Sequence, residues 1–392
     1  MTNVRDGTLD LSRYKWLRLP PPEQERYRLQ PGDVLFNRTN SKELVGKCAV
    51  FDDPGEWVFA SYLIRVRLDA ARVAPHFIAT FLNAPCGRLQ IDRDSRQIIG
   101  MANVNASELK RFLVPLPPIS EQRNLMEPVL AASAMARTAR AASGDADGRV
   151  NGHLLAALGV ELGDPNSLQT FAVSASALTG RRLDAKSYVP IVRLREGTRS
   201  GRLQRLSDVA EINPRRERPA EISGRVPYVG LPECAQKRIK QVVLRESDGP
   251  LGSSIATDGD ILFARIEPSV FNRKYVLVTS AQGYDRFYVS NEFLVVRPFD
   301  ELIDGRYLHE VLLSDIVARQ LVGKTTGSSG RRRIDHSVLE GLIIPVPHLE
   351  RQAEIVRQLG ALRNAVEEGL AHAEMRLQEV LSEFEAAIFS DE

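Results

Sequence analysis

Apolar and polar positions fall into a few patterns along this chain, and the same succession occurs twice. Gly32-Asp33-Val34-Leu35-Phe36-Asn37-Arg38 and Gly259-Asp260-Ile261-Leu262-Phe263-Ala264-Arg265 each place a turn pair before three apolar residues, with an arginine just past them. Short apolar runs bounded in this way predict strands. Alternation follows. Tyr62, Ile64 and Val66 point one way and Arg65 and Arg67 the other, and Asn291 to Arg297 repeats this with Phe293 and Val295 on one face. The period then becomes helical. Phe77, Ile78, Phe81 and Leu82, and later Tyr307, Leu308, Val311 and Leu312, each lie on one helical face. A polar loop comes next, Arg96 to Asn105 or Lys324 to Asp335. It leads to Val114-Pro115-Leu116-Pro117 or Ile344-Pro345-Val346-Pro347. Alternate prolines exclude a helix interior and a central strand, so both read as extended edge segments.

The two copies align by subtraction. Phe77 and Tyr307 are 230 apart, as are Gly100 and Gly330, Leu109 and Leu339, Pro115 and Pro345, Pro117 and Pro347, and Gln122 and Gln352. The Gly-Asp pairs are 227 apart, so a few residues differ between. A sustained offset sets the architecture at two similar mixed α/β (α+β) units.

A helix follows each proline segment. Ile355, Leu359, Leu362, Val366, Leu370, Ala373, Leu377, Val380 and Phe384 are spaced 4-3-4-4-3-4-3-4, a coiled-coil-like seam with one stutter. From Leu349 to Phe384 it would run about 54 Å. Its expected partner starts at Ser120 as N-cap and carries Leu125, Val129, Ala132 and Ala136. Pro128 should kink this helix or delay its start, and Gly144 to Gly148 should end it. Leu154, Leu155 and Leu158 suggest a short helix, and Asp164-Pro165-Asn166 a turn. The expected domains are 1–118, a first mixed unit; 119–148, a first long helix; 149–180, a connector; 181–347, a second mixed unit; and 348–388, a second long helix.

Composition narrows the chemistry. The 392 residues are 43% hydrophobic and 26% charged, an ordinary globular balance. Net charge is +2, so any basic site must be local. The three cysteines, Cys48, Cys86 and Cys234, stand far apart and suit a reducing cytoplasm, without zinc spacing. The histidines show no ligand spacing, no apolar run reaches membrane-span length, and the N-terminus has no signal core. Gly323-Lys324-Thr325 lacks the earlier glycine and the strand of a phosphate loop. Asp53-Pro54-Gly55-Glu56 lacks the second proline and aromatic of an adenine-methyltransferase motif. No catalytic residue, metal site or cofactor is expected.

Here the residues resemble the specificity subunit of Type I restriction-modification systems. The resemblance rests on the two Gly-Asp-apolar-Phe stretches, the run Gly32 to Lys47, the two Pro-x-Pro segments with Gln122 and Gln352, and the helix after each. It implies two target recognition domains separated by two long antiparallel helices, which act as a ruler between the parts of a split DNA target. It also implies a non-catalytic subunit. Its partners would be duplex DNA, modification subunits that methylate adenine with S-adenosylmethionine, and, through them, the restriction subunit. One departure stands out. About 25 residues, Leu203 to Pro227, open the second unit without a counterpart in the first, so the first domain as given is expected to lack its N-terminal part: either the true start lies upstream, or a split neighbour supplies the strand, or the first domain is degenerate.

Reading bases needs donors and acceptors matched to base edges, with cations for phosphates. The candidate DNA contacts are Asn37, Arg38, Asn40, Ser41 and Lys42; Arg96, Gln97, Asn103 and Asn105; Arg265; and Lys324, Thr325, Ser328, Ser329, Arg331, Arg332 and Arg333. The bland alternatives are a solvated loop tip and a self-capping turn. Arg215, Arg216 and Arg218, then Lys237, Arg238 and Lys240, add basic character. Candidate contacts to modification subunits are Pro117, Gln122, Pro347 and Gln352. The rival readings are a degenerate or split relative that scaffolds a phage-defence complex, and an enzyme with dispersed acidic residues.

Overall fold

The computed structural model describes residues 3–5, 7–11, 14–98, 101–163, 191–195, 201–214, 224–235, 237–246, 254–279, 283–328 and 332–389. The chain divides into two units, Met1–Ser143 with Glu367–Glu392, and Gly144–Val366. The expected turn at 164–166 and the basic residues Arg215, Arg216 and Arg218 lie outside the described residues.

Unit 1 runs β1 (Val4–Arg5), β2 (Thr8–Leu9), α1 (Pro21–Tyr27), β3 (Asp33–Asn37), β4 (Thr39–Asn40), β5 (Cys48–Phe51), β6 (Leu63–Val66), α2 (Pro75–Asn83), α3 (Pro85–Asp94), β7 (Arg96–Ile98), β8 (Met101–Asn103), α4 (Ala106–Leu109) and α5 (Ile119–Gly144). The Gly-Asp run is β3, the centre of an antiparallel sheet ordered β5-β3-β6. It is buried throughout because both faces are covered. Val34 and Phe36 pack with Phe77, Phe81 and Leu82 of α2, while Leu35 joins Leu29 and Phe51 on the other side.

Unit 2 runs α6 (Ala146–Leu158), β9 (Val160–Leu162), β10 (Val192–Leu194), β11 (Arg202–Arg205), β12 (Ala210–Ile212), β13 (Arg225–Val229), β14 (Val243–Glu246), β15 (Ser254–Thr257), β16 (Ile261–Ala264), β17 (Tyr275–Leu277), β18 (Arg286–Val289), β19 (Phe293–Pro298), α7 (Gly305–Leu313), α8 (Asp315–Leu321), α9 (His336–Glu340) and β20 (Ile343–Val346). Its two four-stranded sheets are ordered β12-β19-β16-β17 and β14-β13-β18-β15. The final helix, α10 (Leu349–Phe389), belongs to unit 2 in its first part and to unit 1 in its last.

The duplication holds residue by residue. Val34 pairs with Val66 and Val50 as Ile261 pairs with Val296 and Leu277. The offset is 227 through β5 and 230 from β6 onward, so the extra residues of unit 2 lie between β17 and β19. The aspartate of each Gly-Asp pair is buried and locks two elements. Asp33 accepts Gln30 N–H at 2.9 Å and Arg67 Nε at 3.0 Å. Asp260 accepts Thr257 N–H at 2.8 Å and Arg297 at 2.8 and 2.7 Å.

Helix packing differs from expectation in two ways. Helix α5 begins at Ile119, so Ser120 lies inside it, and it continues through Pro128. The seam of α10 also has two partners. Ala373, Leu377, Val380 and Phe384 share a core with Met126, Val129, Ala132 and Ala136 of α5. Ile355 and Leu359 instead share a core with Val150, Leu154 and Leu158 of α6. The supposed connector is thus partly a second packing helix, since its leucines recur at helical spacing and need their own cover.

Candidate nucleic-acid interface

The polar loop of unit 1 is a β-hairpin. β7 and β8 pair antiparallel through Arg96↔Asn103, Gln97↔Ala102 and Ile98↔Met101. β8 also pairs with β4 through Thr39↔Asn103 and Asn40↔Ala102. Two clusters more than fifty residues apart in sequence therefore form one ribbon, ordered β4-β8-β7. Unit 2 repeats it in outline with the bridges Ile266↔Arg333 and Thr326↔Arg333. The arginine after each Gly-Asp strand is where the ribbon leaves the sheet. Arg38 O accepts Val104 N–H at 2.9 Å, and Arg265 O accepts Ile334 N–H at 2.8 Å.

Several expected base readers have structural work instead. Asn37 is fully buried and donates from Nδ2 to Leu44 O at 3.2 Å, so its side chain does not reach solvent. Asn105 caps α4, accepting Ser107 N–H at 2.8 Å and Glu108 N–H at 3.0 Å, while Glu108 accepts Asn105 N–H at 2.8 Å. Asn103 Nδ2 donates to Thr39 Oγ1 at 2.8 Å across the ribbon. Asn40 Oδ1 accepts Ser41 N–H at 2.9 Å, opening a turn that exposes Lys42. Arg88 holds this turn through the carbonyls of Lys42, at 3.2 Å, and Val45. A hydrogen bond from Ser41 lowers the Glu43 carboxyl below its ordinary range. Arg38 Nε is buried without a hydrogen-bond partner, whereas Arg265 Nε donates to Ile334 O at 3.0 Å.

In unit 2, buried Thr325 donates from Oγ1 to Glu267 Oε1 at 2.5 Å. Arg332 donates to Thr325 O at 3.1 Å, and its Nε lies 3.8 Å from Glu267. Arg333 lies 4.0 Å from Glu292. Both arginines are substantially exposed, and such long ion pairs contribute little, so a phosphate can replace either carboxylate at small cost. Lys324 is half-buried and Ser328 exposed. Ser329 and Arg331 lie outside the described residues, as do the side chains of Arg96 and Gln97. Asp335 caps α9, and the Ser337 N–H lowers its carboxyl below the usual range. Sequence reasoning missed Glu267 and Glu292, because residues of opposite sign from distant segments leave no local signal.

Three of the four expected partner residues are buried. Gln122 and Gln352 are fully buried and Pro347 is buried, while Pro117 is half-buried. Gln122 accepts Ala74 N–H at 2.9 Å and donates to Arg72 O at 3.0 Å and Pro117 O at 2.8 Å. Gln352 accepts Asp304 N–H at 2.8 Å and donates to Leu302 O at 3.1 Å and Pro347 O at 2.7 Å. Each amide ties its proline segment to the approach of α2 or α7. A second pair does likewise: Gln90 holds both backbone groups of Leu113 at 2.8 Å, and Gln320 holds those of Ile343 at 2.9 and 2.8 Å.

The charged cavity lined by Asn151, Arg273, Glu310 and Arg363 has its groups committed to one another. Arg363 makes two bonds of 2.6 Å to Glu310, and Arg273 pairs with Asp315. Among the described residues no group of three or more His, Cys, Asp or Glu side chains forms a metal cluster, and no helix is long and apolar enough to cross a membrane. Burial pushes the Cys234 thiol up to about 12 and the half-buried Cys86 thiol up to about 11.

Residues 204–373 match the family model of the Type I restriction modification DNA specificity domain. The Type I restriction enzyme EcoKI specificity subunit of Escherichia coli K12 is 30% identical over 154 residues, covering 38% of this chain and 33% of that protein. A putative MjaX specificity subunit of Methanocaldococcus jannaschii is 23% identical over 124 residues, covering 31% of this chain and 29% of that one. The matched regions thus span about a third of these relatives. The solved HsdS subunit from Thermoanaerobacter tengcongensis is 16% identical, covers 92% of this chain and 80% of its own, and gives a TM-score of 0.46.

Proposed function

We propose that this chain is a member of the specificity-subunit family of Type I restriction-modification systems, a non-catalytic subunit that reads a bipartite duplex DNA site in the cytoplasm. It delivers modification subunits, and through them the restriction subunit, to that site. One observation carries the reading. Each unit builds a polar ribbon at the same place, beside the arginine that ends its Gly-Asp strand. The β7–β8 hairpin of unit 1 is a two-stranded element that projects from β4, and a two-stranded element of this kind fits the major groove.

The proposed contacts are narrower than the full polar set. In unit 2 they are Lys324, Ser328, Ser329, Arg331, Arg332 and Arg333, with Arg265 as an anchor. In unit 1 they are Arg38, Asn40, Ser41, Lys42, Arg96, Gln97 and Asn103. The unpaired Nε of Arg38 supports a ligand acceptor there, since a buried donor without a partner is unfavourable. Asn37, Asn105 and Thr325 support the ribbon from within.

Co-expression with the cognate modification subunit, followed by mapping of methylated adenines, tests the reading. A split motif is expected. Random methylation, or equal affinity for specific and random duplexes, would sink it.

A further inference from the structure

The 230-residue offset runs on into the helices, so α5 and α6 together are the counterpart of α10. Val150, Leu154 and Leu158 of α6 match Val380, Phe384 and Ile388 of α10. Each of these helix ends packs on the unit of the other repeat. Val150, Leu154 and Leu158 share a core of unit 2 with Ile355 and Leu359. Val380 and Phe384 share a core of unit 1 with Met126 and Val129, and Phe384 meets Phe77 edge to face at 5.5 Å. Both units therefore receive a helix end of the same apolar pattern, and that pattern does not tell the two ends apart.

The polar positions do tell them apart. Asn151 Oδ1 accepts the Asp315 N–H at 2.8 Å, its Nδ2 donates to Asp315 Oδ2 at 3.2 Å, and Asp147 pairs with Lys237. The surface that α6 meets is charged. Arg273 pairs with Asp315 and donates to Leu313 O at 2.7 Å, and Arg363 holds Glu310. Unit 1 differs at the matching positions. Leu377 and Leu381 stand where α6 has Asp147 and Asn151, and Pro85, Gly46 and Thr80 stand where unit 2 has Asp315, Arg273 and Glu310. Pro85 has no N–H, so an asparagine at position 381 would find no donor there. A leucine at position 151 would leave the Asp315 N–H without its acceptor, which is costly in a covered site.

We propose that the two units are selective helix-docking surfaces: unit 2 accepts α6 and rejects the α10 end, residues 376–388, of a second copy of this chain, while unit 1 accepts that end and rejects α6. The deciding residues are Asp147 and Asn151 on one end, and Leu377 and Leu381 on the other. Two similar units on one chain otherwise offer every neighbouring copy a place for its helix ends, and head-to-tail exchange of this kind builds rings or open filaments. Each wrong residue leaves a polar group without its partner, so the two positions together favour the right end by roughly a hundredfold. This selection is a matter of chain assembly and is independent of DNA recognition.

Two variants of the full chain exchange these residues. In the first, Asp147→Leu and Asn151→Leu give α6 the character of the α10 end; in the second, Leu377→Asp and Leu381→Asn do the opposite. Amide exchange should quicken at Asp315 in the first and at Cys86, whose N–H donates to Glu385 Oε1 at 3.3 Å, in the second. The two variants, labelled with donor and acceptor dyes, are then mixed. Each released end now fits the unit vacated in the other chain, so saturable energy transfer is expected. Native chains mixed with one another should give none, and the first variant mixed with native chains should respond roughly a hundredfold more weakly. The single substitutions Asn151→Leu and Leu381→Asn, which disturb the cores less, should repeat the pattern about tenfold more weakly. Unchanged amide exchange, transfer with native chains as strong as with the second variant, or no transfer between the two variants overturns the proposal.

Discussion

Replacing Gln352 with alanine tests whether the glutamine after each proline segment is an internal clamp. The side chain is fully buried and satisfies three backbone groups, of Asp304, Leu302 and Pro347. Three net hydrogen bonds at about 1 kcal/mol each, with the Asp304 N–H left without an acceptor, remove roughly 3–4 kcal/mol. Glutamine gives up about 1.5 kcal/mol of rotamer freedom on burial, which alanine does not. Unit 2 is therefore expected to lose about 2 kcal/mol. A chain of two units need not unfold in one step, so hydrogen exchange resolved to Asp304 and the start of α7 is the measurement, supported by urea denaturation. Gln122→Ala should act likewise at Ala74 in unit 1. A change below about 0.5 kcal/mol with unaltered exchange would refute the clamp. Lost binding of modification subunits at unchanged stability would restore a surface role.

Asp260→Asn removes a bidentate bond to a partly exposed arginine, and after allowance for solvent screening it is expected to cost about 1–3 kcal/mol in urea denaturation. Asp33→Asn should cost less, because Arg67 makes one bond to Asp33 where Arg297 makes two to Asp260; an equal or larger loss would contradict this ranking. Burial lowers the His309 pKa from its ordinary 6.5, so the unfolded chain binds the proton more tightly. Stability of unit 2 should thus fall as pH drops below about 6.5, and His309→Gln should flatten that slope in thermal unfolding across pH. Arg332→Ala with Arg333→Ala should weaken DNA binding and make the slope of log affinity against log salt shallower by about 2, one per phosphate contact, as read by fluorescence anisotropy. An unchanged slope would remove these residues from the phosphate contacts.

The sequence by itself determined the duplication, the Gly-Asp strands, the paired helices at 75–83 and 305–313, and the apolar seam of the last helix. Each is legible because periodicity is a local property and a repeated offset compares the chain only with itself. Tertiary structure alone decided what the polar letters do. A buried amide clamp and a base-reading amide are the same residue in one sequence. Gln122 is a clamp because residues 72 and 74 return to it from some fifty positions away. The polar loop is a ribbon because β4 arrives from more than fifty positions upstream to pair with it. The seam of α10 is shared between two cores because α6 covers one part and α5 the other. In each case long-range chain closure, rather than local propensity, chooses which hydrogen-bonding groups and apolar faces meet.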